Sequence, residues 1–97
     1  MSVIVIFEAQ AKPGSGDQFV AALRQTLAST RSYEGCLELT VHQNQDDSDN
    51  LVAVERWASR EAYERYLQWR RETGVLDRLT GACIGPPRIR FYDVTDA

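Results

Sequence analysis

At 97 residues the chain falls in the range of one small domain, and a domain of that size buries only about two thirds of the surface its unfolded chain exposes. Hydrophobic residues at 43% and charged residues at 26% describe an ordinary globular protein, and the formal charge of −3 leaves no basic footprint for nucleic acid or for an anionic membrane. No apolar stretch approaches the roughly 18 residues of a membrane span, and the apolar first residues carry neither a basic leader nor a small-residue cleavage site, so a cytoplasmic protein with no nucleic-acid or membrane partner is expected.

Residues 3–11 are β-branched and apolar in their first half and stop at Lys12-Pro13-Gly14, a turn signal; they are predicted as the first strand. Ser15 followed three residues later by Gln18 has the form of a capping box. Phe19, Val20, Leu23, Thr26 and Leu27 then recur at helical spacing, predicting a first helix that runs to about residue 32. Leu37, Leu39 and Val41 alternate within residues 36–45, the second strand. The polar run Asp46-Asp47-Ser48-Asp49 then turns the chain into a third strand over residues 51–57.

Ser59 is placed to cap a second helix, with Glu61 in its first turn where a carboxylate suits the helix dipole. Ala62, Tyr63, Tyr66 and Leu67 line one side of that helix, and Arg60 with Glu64 and Glu61 with Arg65 support the other. After Thr73-Gly74 a second helical repeat follows through Val75, Leu76, Leu79, Ala82 and Cys83, and Gly85-Pro86-Pro87 ends it. A last strand is predicted over residues 88–94. Cys36 and Cys83 are too few and too far apart for a disulfide framework or a zinc site, and both sit among apolar neighbours as small packing residues. No linker or repeat interrupts residues 1–97, so a single domain is expected.

The order β-α-β-β-α-β, with the second helix broken in two, is the ferredoxin-like split βαβ pattern: an α+β fold in which helices cover one face of a four-stranded antiparallel sheet. Alternation along the first strand puts Val3, Val5 and Phe7 on one side and Ile4 and Ile6 on the other. The third strand likewise sets Leu51 and Ala53 against Val52 and Val54. Both faces are apolar and the helices can cover only one. The other face predicts a homodimer, two copies pairing through their sheets as a dimeric α+β barrel.

Three segments resemble the antibiotic biosynthesis monooxygenase family: Ala11-Lys12-Pro13-Gly14, Glu34-Gly35-Cys36-Leu37 and, above all, Val54-Glu55-Arg56-Trp57-Ala58-Ser59-Arg60-Glu61-Ala62. The resemblance spans nearly the whole chain and implies oxygen insertion into a small aromatic, polyketide or quinol-type substrate without metal, flavin or haem. Such chemistry needs an apolar pocket, polar groups that orient the substrate, and something that favours its phenolate. Trp57, Tyr63 and Tyr66 are the candidates to line that pocket; the competing reading makes all three aromatic core residues. His42, the only histidine, is the general-base candidate by inventory, although its phase with Glu38 and Thr40 turns it away from Leu37, Leu39 and Val41, towards solvent or a dimer seam. Asp77 and Arg78 sit at the border of an apolar stripe and read as solvated residues.

The antibiotic-tailoring branch of the family pairs the strand tryptophan with an asparagine four residues earlier, where this chain has Ala53, and with a tyrosine that Tyr63 matches. The haem-degrading branch has an asparagine, a tryptophan and a ligand histidine at positions that here hold Phe7, Tyr66 and Leu76, so haem degradation is disfavoured. No metal-ligand spacing, glycine-rich phosphate loop or Ser/His/Asp set is present, and no cofactor is indicated. The leading expectation is a cofactor-independent monooxygenase. The alternatives are a non-catalytic dimer that binds a small ligand or serves as a structural partner, and a cofactor-free isomerase or decarboxylase on the same barrel.

Overall fold

The computed structural model describes residues 2–97. Four strands, β1 (Val3–Gln10), β2 (Cys36–Gln43), β3 (Asn50–Trp57) and β4 (Arg88–Tyr92), alternate with three helices, α1 (Gly16–Arg31), α2 (Arg60–Glu72) and α3 (Val75–Gly81), in the order β1-α1-β2-β3-α2-α3-β4. The sheet order is β2-β3-β1-β4 with every neighbouring pair antiparallel. This is the ferredoxin-like arrangement expected from the element order.

Burial follows the alternation along the strands. Val3, Val5 and Ala9 of β1 and Leu51, Ala53, Glu55 and Trp57 of β3 are buried on the helix-covered face, where Phe19, Leu23 and Leu27 of α1 and Ala62, Tyr63 and Tyr66 of α2 meet them. The register sets Ile4, Ile6, Val52 and Val54 together at the middle of the opposite face, with no helix over them. Charged pairs flank that patch: Arg56 Nε lies 3.7 Å from Glu38 Oε2, and Arg90 Nη2 lies 3.4 Å from Glu8 Oε1. Among the described residues no helix is long and apolar enough to cross a membrane.

The ends of the elements depart from the sequence reading in three instructive places. β2 stops at Gln43 rather than residue 45, because Asn44 Oδ1 accepts the backbone N–H groups of Asp46 (2.8 Å) and Asp47 (3.2 Å) and turns the chain early. β4 stops at Tyr92 rather than 94, where its ladder ends opposite Ile4. The third departure concerns the start of α1. Ser15 holds the N-cap position, yet its hydroxyl donates to the Lys12 carbonyl (2.6 Å) and makes no capping bond. Asp49, in the β2–β3 turn, supplies the cap: its carboxylate accepts the N–H groups of Gly14 (2.9 Å) and Gly16 (2.8 Å). Glycine at 16 permits this approach, since a Cβ there would sit 1.9 Å from the Ser48 carbonyl oxygen. Ser59, by contrast, caps α2 as expected, accepting from Ala62 N at 3.1 Å.

A buried carboxyl in an aromatic-walled cavity

Between the sheet and the helices lies a cavity of about 40 Å³, enclosed chiefly by apolar side chains from β1, α1, β3, α2 and α3. Space for a water molecule begins at roughly 10–15 Å³, so the cavity has room for a few waters as it stands and for no aromatic ring. Four side chains with polar groups face it: Glu55, Tyr63, Tyr66 and Arg70.

Glu55 is on β3 in phase with Leu51, Ala53 and Trp57, so the pleat turns its carboxyl inward with them. It is 5% exposed. Trp57, two residues on, donates its indole Nε1–H to Glu55 Oε1 at 2.9 Å, and no other side chain of the described residues hydrogen-bonds the carboxyl. Burial lifts the Glu55 pKa from an ordinary 4.5 to about 7, outweighing the Trp57 hydrogen bond that pulls it back down. A carboxyl poised near neutrality inside an apolar cavity is suited to accepting and returning a proton.

The three aromatic residues singled out from the sequence converge. Ring centroids are 5.3 Å apart for Trp57 and Tyr63, 5.0 Å for Trp57 and Tyr66, and 5.9 Å for Tyr63 and Tyr66. Tyr63 and Tyr66 line the cavity. Trp57 does not: its indole is 0% exposed behind them, edge-on to Tyr63, and it touches the site through Glu55. The short path from the end of β3 to the Ser59 cap brings the rings together as expected, but the same inward phase that buries Glu55 sinks Trp57 beneath it. The Tyr63 phenol hydrogen-bonds to none of the described residues, and burial pushes its pKa up, with the nearby Glu55 carboxyl adding to the effect. The Tyr66 hydroxyl lies 2.7 Å from Thr30 Oγ1 and accepts from Arg70 Nε at 3.0 Å; burial raises its pKa against those two bonds.

His42 is elsewhere. Its register partner is Val52, on the sheet face away from the helices, and its exposed imidazole Nε2 lies 2.9 Å from Thr40 Oγ1. A general-base role for His42 in this cavity is therefore corrected: the sheet separates them. Phe7, Tyr66 and Leu76, the positions compared with the haem-degrading branch, all line the cavity, and none offers an imidazole. Asp77 and Arg78 are exposed on α3. Among the described residues no group of three His, Cys, Asp or Glu side chains is placed to hold a metal ion, and both cysteines are free thiols.

The sequence reading missed Glu55 and Arg70. Each carried a signal: Glu55 is a charged residue on the inward phase of a strand. Arg70 extends the Tyr63, Tyr66 row by one helical turn, which puts a charge on the face that α2 turns to the core.

A split βαβ sheet roofed by helices on one face, with a cavity between the layers, defines the ferredoxin-like α+β class. Within it the sequence pattern of the antibiotic biosynthesis monooxygenase family matches residues 2–70, more than two thirds of the chain, and the chain belongs to that family. Solved structures with the same fold include a conserved protein from Methanosarcina mazei Go1, with TM-score 0.85 and 18% identity over 98% of this chain and 94% of that one. SnoaB, a cofactor-independent oxygenase from Streptomyces nogalater solved in a mutant form, gives TM-score 0.83 at 16% identity, covering 99% of this chain and 95% of its own. The protein PA3566 from Pseudomonas aeruginosa is 26% identical with TM-score 0.77, covering 97% and 95%. An uncharacterized protein of Synechocystis sp. is 18% identical over 94 residues; the match takes in 97% of this chain and 64% of that curated relative's length.

Proposed function

We propose that the protein is a cofactor-independent monooxygenase of small, electron-rich hydroxyaromatic compounds, with Glu55 as its general base. The observation that carries this reading is the Glu55 carboxyl, buried in an apolar cavity and lifted to about 7. Family membership and the shared fold with SnoaB support it.

In this scheme Glu55 takes the phenolic proton and the phenolate passes one electron to dioxygen. The resulting superoxide and phenoxyl radical join at an unsubstituted ring carbon as a peroxide anion. Glu55 returns its proton to the peroxide, and loss of water, which takes the hydrogen of that ring carbon, leaves a quinone carbonyl. One phenol and one dioxygen thus give one quinone and one water. Tyr63 and Tyr66 provide the aromatic walls, and Trp57 is a positioning residue that fixes the Glu55 carboxyl. A ring needs more room than about 40 Å³, so binding requires the cavity to widen. The side to give way is α3, which contributes Leu76 and Leu79 to the wall, has no fully buried residue, and begins at Gly74 in the left-handed conformation (φ 77°).

The test is oxygen uptake by metal-stripped protein with 2-naphthol and related hydroxyaromatics, set against spontaneous oxidation. Uptake above background that falls by on the order of 10²–10⁴ in Glu55→Gln is expected. Uptake no faster than background, or unchanged in that variant, overturns the assignment. The small cavity favours a second reading, a non-catalytic small-ligand binder, and background-level uptake together with saturable binding would establish it. We also propose that two copies pair through the Ile4, Ile6, Val52 and Val54 face, since an apolar patch with a charged rim is the form of an interface core.

A further inference from the structure

Arg70 is 6% exposed and lines the cavity. Buried guanidinium groups are ordinarily paired with a carboxylate, yet the three ion pairs among the described residues leave Arg70 out. Every partner it has is neutral: Nε donates to Tyr66 Oη (3.0 Å), and Nη2 donates to the Thr26 carbonyl (2.9 Å), Ser29 Oγ (3.1 Å) and Thr30 Oγ1 (2.7 Å). Nη1, with two N–H groups, donates to none of the described residues. The Trp69 and Tyr66 rings stand 4.5 Å and 5.2 Å from the guanidinium carbon and hold the group in place. A positive charge with spare donors thus borders a chamber walled chiefly by apolar side chains, and Glu55, the one carboxyl among its described lining residues, is on a different element and outside ion-pair distance.

We propose that Arg70 is the anion-recognising pole of this cavity and that the ligand is an aromatic monocarboxylate, seated with its carboxylate on the guanidinium and its ring among the apolar walls. The chemistry favours a carboxylate over a phosphate. One guanidinium matches one carboxylate in charge and fork geometry, whereas a phosphate dianion would leave charge uncompensated among Phe7, Phe19, Leu23 and Leu76. Resting on the function proposed above, the substrate class narrows to hydroxyaromatic acids: a carboxylate held at Arg70 sets the ring across the cavity that Glu55 also lines.

Three probes that share one ring system decide this: 6-hydroxy-2-naphthoic acid, its neutral amide, and 2-naphthol, each titrated at pH 6 by calorimetry and by quenching of Trp57 and Trp69 fluorescence. The acid is expected to bind at least tenfold more tightly than either neutral probe, and Arg70→Gln to reduce that ratio to near one. Arg70→Lys, which keeps the charge but not the fork, should retain part of the preference. Equal affinity for acid and amide overturns the inference in the wild-type protein, whether or not the variants fold. A preference that survives in folded Arg70→Gln overturns it as well, because the acid is then held elsewhere. Oxygen uptake separates the two proposals. Acid preference without uptake keeps the anion pole and removes the monooxygenase, and uptake with 2-naphthol at equal affinity does the reverse.

Discussion

The raised pKa of Glu55 has a thermodynamic counterpart that can be measured without a substrate. In the unfolded chain the carboxyl titrates near 4.5, and in the folded protein at about 7. Between those values the folded state holds a proton that the unfolded state has released, so the contribution to stability is complete below pH 4.5 and is lost as pH rises towards 7. The interval of roughly 2.5 pH units, at about 1.4 kcal/mol each, amounts to about 3.5 kcal/mol, of which about 3 kcal/mol is present at pH 4.5 and lost by pH 8. The other ionisable groups coupled to Glu55 do not confuse the reading. Burial raises the pKa of the Tyr63 and Tyr66 phenols and the Cys36 thiol, so all three are neutral throughout this range. Urea unfolding of wild type and Glu55→Gln at fixed protein concentration, from pH 4.5 to 8, isolates the effect. Surface carboxylates contribute equally to both curves and cancel in the difference. Relative to its standing at pH 4.5, Glu55→Gln should gain about 3 kcal/mol on wild type by pH 8, with most of the change between pH 5 and 7. Parallel curves would show that the carboxyl titrates normally, and the general-base argument would fall with them.

Three further outcomes follow from the geometry. Asp49→Ala should destabilise the fold by about 1–2 kcal/mol in urea melts, because it removes the acceptor for two amides at the start of α1, whereas Ser15→Ala should change little. Gly35→Ala should lower stability by about 1–3 kcal/mol, since Gly35 has φ 96° and an added Cβ would lie 2.7 Å from Ala62 Cβ; thermal unfolding followed by circular dichroism reads it. If two copies pair through the free sheet face, Val54→Lys should shift sedimentation to the monomer, and the wild-type melting temperature should fall on dilution.

Much of this fold was legible in the sequence because strand alternation is a strict code. Val3, Val5 and Leu51 against Ile4, Ile6 and Val52 defined two apolar faces, and the structure roofs only one of them. The cap of α1 was misread for a reason of range. Ser15 with Gln18 satisfies a local pattern, while the group that takes the orphan amides lies more than thirty residues away and is visible only once β2 and β3 are paired. The aromatic cluster was found because Tyr63 and Tyr66 sit on one helical row, but whether a ring borders a cavity or backs it depends on depth, and spacing does not encode depth. Glu55 and Arg70 were overlooked because charged residues are expected outside, when the phase of Glu55 with Trp57 and of Arg70 with Tyr66 placed both inside. A lone histidine drew attention by its chemistry, and its own strand phase already pointed it away.

The Asp49 carboxylate that closes the start of α1 also orders events in time. Gly14 and Gly16 flank the cap position, and glycine is a poor helix former, so the first turn of α1 gains little from its own residues. When the chain leaves the ribosome from its N-terminus, that turn stays open until residue 49 has emerged and the β2–β3 turn has swung back to it. A nascent chain that has emerged only as far as residue 45 should therefore carry the first turn of α1 frayed. Transplanting α1 into a relative would likewise require residues 46–49 to travel with it.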